Sequence, residues 1–291
     1  MPELPEVETM RRGIAHLAGL RIKSATFPRG TVRPISMQPA AEGMQQRLTG
    51  RRIAAVHRFG KRVAIELDER EQVGREWLVI EPRMTGLLLV ADPPTQAHLR
   101  MEIGLESRQH PRLLFWDRRG LGTIRLLDAR GLSAACGPER LGPDGLAVTG
   151  GELRERLGQS RRAVKVALLD QQAVSGIGNI YAAEILFAAG IDPRVPCRRL
   201  SAARWEQIAA AAQSILAEAV RMEGSTITDE TYKTADNRSG QFQLQHRVYG
   251  HEGELCRHCG TAILRIVQTQ RSTFFCPECQ WHHRRRCRRL S

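Results

Sequence analysis

Apolar residues at Leu4, Val7, Met10, Ile14 and Leu17 recur at intervals of three and four, which is the spacing of one helix face. Pro5 suits the first turn of such a helix, where a backbone N–H would lack an intrahelical partner in any case. From Arg21 to about Leu127 the texture changes to short β-rich runs such as Arg62–Leu67, Trp77–Ile80, Gly86–Val90 and Gly122–Leu126. Strands of this length broken by turn residues predict a sandwich or a barrel. Gly131 to Gly151 is rich in glycine and proline and reads as a connection between domains. Helical spacing returns in Ala163–Leu169, Ile180–Ala189 and Ser201–Met222, the last capped by Ser201. A polar stretch from Gly224 to Gly240 then leads to paired cysteines and an arginine-rich tail, and no internal repeat is visible.

A chain of 291 residues exceeds the usual single-domain size, so two domains are expected, with room for a sizeable core. Charge changes the picture further. Forty-four Lys and Arg against thirty-one Asp and Glu leave a net +13, a balance that favours a polyanionic partner. From Cys256 to Ser291 there are eight arginines and a single acid, Glu278, although a charge run by itself is more often a solvated face. Glu3, Glu6 and Glu8 stand where a signal peptide would begin, and no apolar stretch is long enough to span a membrane. The seven cysteines are odd in number, four of them in Cys-x-x-Cys pairs, with Cys136, Cys197 and Cys287 scattered. This pattern suits a reducing cytosol and a metal site better than a disulfide framework.

Cys256-Arg-His-Cys259 and Cys276-Pro-Glu-Cys279 offer four thiolates at a spacing suited to tetrahedral zinc, and a fully protein-ligated site is structural because no position is left for water. Between the pairs, Ile263–Val267 and Thr273–Phe275 read as two strands, which would put Arg271 at a hairpin tip able to reach a phosphate. Gly176-Ile-Gly-Asn-Ile-Tyr181 lies between two helical segments, where exposed amides favour an anion; a helix-terminus turn without ligand is the commoner use of so short a motif. Arg161, Arg162 and Lys165 just upstream tilt it toward a phosphate backbone. At the start of the chain, loss of Met1 would leave Pro2 as a secondary amine able to form an iminium with an aldehyde-level carbon. A reference α-amine titrates about 2.5 units below lysine, so roughly a few hundred-fold more of it is free base at neutral pH, which favours Pro2 over Lys61 as nucleophile. Glu3 could supply the proton that opens a sugar ring.

Together these pieces resemble the formamidopyrimidine-DNA glycosylase family, colinearly along nearly the whole chain. Pro2-Glu-Leu-Pro-Glu-Val-Glu8 is similar to its amino-terminal signature, Lys61 in Phe59-Gly-Lys-Arg62 to its catalytic strand lysine, and Arg162–Asp170 with Gly176–Glu184 to its helix-two-turn-helix segment. Gln270–Cys276 resembles its zinc hairpin. The resemblance implies an α+β fold: an amino-terminal β-sandwich beginning with a helix (residues 1–132), a helix-two-turn-helix domain with a substrate-covering loop (133–240), and a four-cysteine zinc finger with the arginine-rich tail (241–291). It implies a base excision repair enzyme acting on damaged double-stranded DNA held in a cleft, as a monomer, in the cytoplasm at the nucleoid. One structural zinc, bound by Cys256, Cys259, Cys276 and Cys279, and no catalytic cofactor are implied. Pro2 would attack C1′ and expel an oxidised purine, Glu3 would protonate the opening ring, Lys61 would assist β-elimination and Arg271 δ-elimination. Lys165 and Asn179 would hold backbone phosphate.

Some residues depart from the family pattern. Met84 and Arg119 match two of the side chains that fill the gap left by a flipped base, but Leu121 stands where phenylalanine is usual. Leucine serves as a wedge in DNA-kinking proteins, without the stacking of an aromatic face. Glu81-Pro-Arg83 replaces the family's His-Leu-Gly, His98 is retained from a histidine-rich stretch, and Gln96 replaces another member of it. The loop from Gly224 to Phe242 keeps its end glycines and diverges within. Oxidised-pyrimidine chemistry of the endonuclease VIII type, or a noncatalytic DNA-binding role, are the alternatives; retention of Pro2, Glu3, Lys61 and Arg271 argues against the second.

Overall fold

The computed structural model describes residues 2–28, 33–71, 74–226 and 232–280. Met1, Cys287, the arginine-rich tail and the centre of the expected covering loop lie outside these residues. The chain forms two compact units, Met1–Arg140 with Ala219–Gln243, and Leu141–Glu218 with Leu244–Ser291.

In the first unit the elements run α1 (Leu4–Ile14), β1 (Ile22–Thr26), β2 (Ser36–Gln38), α2 (Ala41–Leu48), β3 (Ile53–Phe59), β4 (Arg62–Leu67), β5 (Glu76–Glu81), β6 (Gly86–Leu89), β7 (Leu99–Leu105), β8 (Arg112–Asp117), β9 (Thr123–Asp128) and α3 (Ala129–Cys136). A four-stranded sheet has the order β1-β7-β8-β6 and a five-stranded sheet the order β2-β9-β5-β4-β3. Pairing is antiparallel except between β2 and β9. One apolar core draws on both sheets, with Ile65, Leu78 and Ile80 from one and Leu88, Met101 and Phe115 from the other, as a sandwich requires. Val7, Met10 and Ile14 of α1 enter the same core, so the predicted helix face is the buried one; Leu17 belongs to the 3₁₀ turn that follows. The segment read as a bare connection after Gly131 carries most of α3, whose start is capped by the Asp128 carboxylate accepting from the Gly131 N–H at 2.7 Å.

The second unit contains α4 (Gly150–Leu157), α5 (Val164–Leu168), α6 (Asn179–Ala188), most of α7 (Ala202–Arg221), and a two-stranded ribbon of β10 (Leu264–Gln268) and β11 (Arg271–Phe275). Ser201 accepts from the Arg204 N–H at 3.4 Å ahead of α7, the cap its sequence predicts. Helix α6 is buried from Ile180 to Phe187, including Glu184. The Glu184 carboxylate accepts three backbone N–H groups, from Arg247, Val248 and Tyr249, at 2.9, 3.1 and 2.8 Å. Burial pushes this carboxyl above the usual carboxylate range while the three N–H donors oppose the rise. Val248 in turn packs with Ala183, Phe187, Cys256, Ile263 and Cys276, so α6 seats the cysteine-bearing module. Among the described residues no helix is long and apolar enough to cross a membrane.

Candidate functional site

Pro2 is buried and directly precedes Glu3, the residue capping the start of α1. The Glu3 N–H donates to Glu6 at 2.8 Å, and the Glu3 carbonyl accepts from the Val7 N–H at 3.0 Å. The second Glu6 oxygen accepts the N–H of Ser225 at 2.8 Å, so one buried carboxylate joins the start of α1 to the start of the expected covering loop. Gly224, at φ +79°, is required there: a Cβ would stand 2.9 Å from the Glu6 side chain. Farther along, the buried Tyr232 hydroxyl donates to the Glu223 carbonyl at 3.0 Å, and burial together with the nearby Glu6 raises its pKa well above the tyrosine norm. Glu6 was not singled out from the sequence, although a glutamate three residues after a capping position is a legible signal.

Lys61 occupies the two-residue turn between β3 and β4, where Phe59 pairs with Arg62. Gly60, at φ +56°, supplies the positive φ that a type II′ hairpin turn needs at its first central position. The lysine is half-buried.

Met84 and Arg119, far apart in sequence, are brought to one place by Thr85 and Asp117, neither of which the sequence marked. The buried Asp117 carboxylate accepts the Thr85 hydroxyl, the Arg119 N–H at 3.2 Å and the Gly122 N–H at 2.8 Å. Thr85 accepts the Arg119 N–H as well, at 2.9 Å. The loop that carries Arg119 and Leu121 is thereby hooked to the turn that carries Met84. Arg119 is exposed, and Met84 and Leu121 are half-buried. His98 rests edge-on against Trp116, ring centroids 5.4 Å apart, and its buried Nδ1 has no hydrogen-bond partner among the described residues. Asp117→Asn should loosen this loop pair, because an amide NH₂ would face N–H donors where an oxygen now accepts. Loss of one charge-assisted bond costs about 1.5–3 kcal/mol, so affinity for lesion-bearing duplex should fall roughly tenfold or more. Unchanged affinity in a binding titration would show that the loops are held by something else.

In the second unit Lys165 of α5 and Asn179, the first residue of α6, meet Ser272 of β11. The fully buried Lys165 ammonium donates to the Asn179 side-chain oxygen and to the Ser272 carbonyl at 3.3 Å, and the Asn179 amide donates to the same carbonyl at 3.1 Å. Arg271, next in the chain to Ser272, is exposed. The hairpin tip consists of Thr269 and Gln270, both at positive φ (46° and 62°), and Arg271 opens β11 opposite Gln268 rather than forming the tip itself. The turn ahead of α6 is pinned by Gln171, whose side chain donates to the Ile177 carbonyl at 2.9 Å and accepts the Gly176 N–H at 2.9 Å. Arg162, expected near phosphate, pairs with Asp170 at 3.0 Å.

The sulfurs of Cys256, Cys259, Cys276 and Cys279 lie within 4.8 Å of one another. Cys256 to Cys279 is 3.8 Å and Cys259 to Cys276 is 3.4 Å. A tetrahedral zinc with Zn–S bonds of about 2.3 Å would set its sulfurs about 3.8 Å apart, so the donor set and its spacing fit that ion.

Comparison with known proteins agrees with this geometry. Residues 1–124 match the family model for the formamidopyrimidine-DNA glycosylase N-terminal domain, residues 141–231 its H2TH domain, and residues 253–280 the zinc finger found in FPG and IleRS. The formamidopyrimidine-DNA glycosylase of Stutzerimonas stutzeri is 40% identical over 288 residues, covering 96% of this chain and all of the relative. The solved MutM (Fpg) protein of Thermus thermophilus is 34% identical with a TM-score of 0.82, covering 96% of this chain and 98% of that one. A MutM structure in complex with DNA containing carbocyclic 8-oxo-G is 29% identical, with a TM-score of 0.80 and coverage of 97% and 100%.

A glycosylase amino-terminal domain followed by an H2TH segment and a four-cysteine zinc finger defines a DNA repair glycosylase. The chain belongs to the formamidopyrimidine-DNA glycosylase family. It is a DNA-binding enzyme with glycosylase and abasic-site lyase activity, and its zinc finger is a structural metal site.

Proposed function

We propose that the enzyme removes oxidised purines, 8-oxoguanine and formamidopyrimidines, and cuts the strand through a Schiff base on Pro2. The observation that carries this reading is the buried Pro2, next to the Glu3 cap and two residues ahead of the first residue of the eleven-residue helix α1. The positive end of the helix lowers the pKa of a terminal amine there and increases its free-base fraction. With Met1 removed, the Pro2 nitrogen attacks C1′ of a flipped nucleotide and the glycosidic bond breaks, the base leaving with its electron pair and gaining a proton. The amine loses its own proton, the C1′–O4′ bond opens, and Glu3 delivers a proton to O4′, which leaves an iminium at C1′. Lys61 assists removal of the C2′ proton with loss of the 3′ phosphate, and Arg271 assists the second elimination that releases the 5′ phosphate. Lys165 and Asn179 support the phosphate-facing surface, and Met84, Arg119 and Leu121 fill the space vacated by the base, with His98 beside the DNA. Acting on chromosomal DNA, the enzyme works in the cytoplasm at the nucleoid.

The family and a MutM neighbour in complex with DNA containing carbocyclic 8-oxo-G support the purine reading, while a Lactococcus lactis Fpg neighbour is in complex with oxidised-pyrimidine DNA, so the order of preference is what the experiment decides. The test is single-turnover excision on duplexes bearing 8-oxoguanine, a formamidopyrimidine, 5-hydroxycytosine or thymine glycol. The proposal expects the purine lesions to be released at least about tenfold faster. Equal or faster release of the oxidised pyrimidines would transfer the enzyme to endonuclease VIII-like chemistry.

A further inference from the structure

We propose that Arg58 is a positioning residue for strand cleavage: anchored by Glu8 of α1, it fixes the peptide bond that precedes Lys61. The inference rests on the role given to Lys61 above. Arg58 lies near the end of β3, and its guanidinium forks. Its Nε donates to Glu8 Oε2 at 3.1 Å, and its Nη1 donates to the Gly60 carbonyl at 3.1 Å. That carbonyl belongs to the peptide joining Gly60 to Lys61, within a turn whose two residues lie outside the β3–β4 pairing. A fixed peptide plane at this point sets the direction in which the Lys61 side chain leaves the backbone. Glu8 is on the helix that begins two residues after Pro2, so a single ion pair ties the helix of the nucleophile to the hairpin of the lysine.

Neutralising Glu8 does not require Arg58. Arg11 and Arg12, on the same helix, already bond both Glu8 oxygens, at 2.8–3.0 Å. Burial would raise the Glu8 carboxyl, but the guanidiniums of Arg11, Arg12 and Arg58 outweigh it and hold the group below the usual range, so Glu8 is a fixed anion. Arg58 differs from the other two in coming from another strand and in being almost wholly buried, with 9% of its side chain exposed against 26% for Arg11 and 59% for Arg12. A guanidinium can serve a carboxylate and a carbonyl at once in a rigid fork, whereas a lysine ammonium is a single point donor on a flexible stem.

Arg58→Lys therefore keeps the charge and loses the fork, and Glu8→Gln keeps the acceptor and loses the charge. The probe is duplex DNA with a preformed abasic site, followed in single turnover for borohydride-trapped adduct and for strand cleavage. Both variants should form the Pro2 adduct within about twofold of the parent rate, while cleavage slows 10- to 100-fold, the order expected when a reacting group is displaced by about an ångström. The pH profile of the cleavage step should also change relative to that of adduct formation. Adduct and cleavage falling in parallel, tracked by a lowered melting temperature, would reduce Arg58 to a structural residue, and unchanged cleavage in both variants would overturn the proposal outright. A parent enzyme that forms no Pro2 adduct would instead defeat the functional reading on which it rests.

Discussion

Replacement of Cys276 by serine is expected to remove zinc and DNA affinity together. The module matched as a zinc finger spans residues 253–280, too few to build a self-sufficient core. What holds it is the four-thiolate cluster, with Cys276 fully buried among Ala183, Phe187, Val248 and Ile263. Structural zinc contributes about 10–16 kcal/mol of apparent binding free energy at neutral pH, more than a short hairpin can recover by packing. Once the ribbon loosens, Ser272 no longer offers its carbonyl to Lys165 and Asn179, and Arg271 loses its fixed place on β11. If these groups meet backbone phosphate as proposed, losing two charge-assisted contacts at about 1.5–3 kcal/mol each predicts at least a hundredfold weaker binding to lesion duplex. Cys136→Ser, in the first unit and outside the cluster, should keep the metal. Metal analysis and a binding titration on both variants check this; a zinc-free protein that binds DNA like the parent would contradict it.

Elements with strong local periodicity were legible in the sequence. The apolar face of α1, strand β4, helices α5 to α7 and the cysteine spacing each announce themselves within a window of twenty-odd residues. Long-range contacts were not. Nothing local marks the Ser272 carbonyl as the shared acceptor of Lys165 and Asn179, which lie 107 and 93 residues away. Asp117 reads as one more acid at a strand end, yet it organises the loop of Arg119 and Leu121 because its two oxygens meet three donors. The return of Ala219–Gln243 to the first unit follows contacts such as Glu6 to Ser225, and Ala235 accepting the N–H of Val90, that no hydrophobic period encodes. Helix α2 was hidden inside a β-rich stretch because eight residues with only Met44 and Leu48 buried carry too weak a pattern.

Blocking the amino terminus should have the largest effect on catalysis. Every covalent step above begins with the lone pair of Pro2, and a chain with Met1 retained, or with any uncleaved extension, converts that nitrogen to an amide without basicity. Glu3, Lys61, Lys165, Asn179 and Arg271 are all still present, so binding to lesion duplex should stay within about threefold of the parent. Base release coupled to strand cleavage should fall by on the order of a thousandfold or more, as expected when a nucleophile is removed and the remaining groups cannot act alone. Full activity with a blocked terminus would move the nucleophile elsewhere, with Lys61 the first candidate.

The most direct measurement is covalent trapping. An iminium between Pro2 and C1′ is reduced by borohydride to a stable amine, so incubation with 8-oxoguanine duplex and borohydride should give a slowly migrating protein–DNA species. Peptide mapping should place the DNA on an amino-terminal peptide that begins at Pro2. An adduct mapped to Lys61, or none formed on oxidised purine, oxidised pyrimidine and abasic duplexes that the protein binds tightly, would contradict the account.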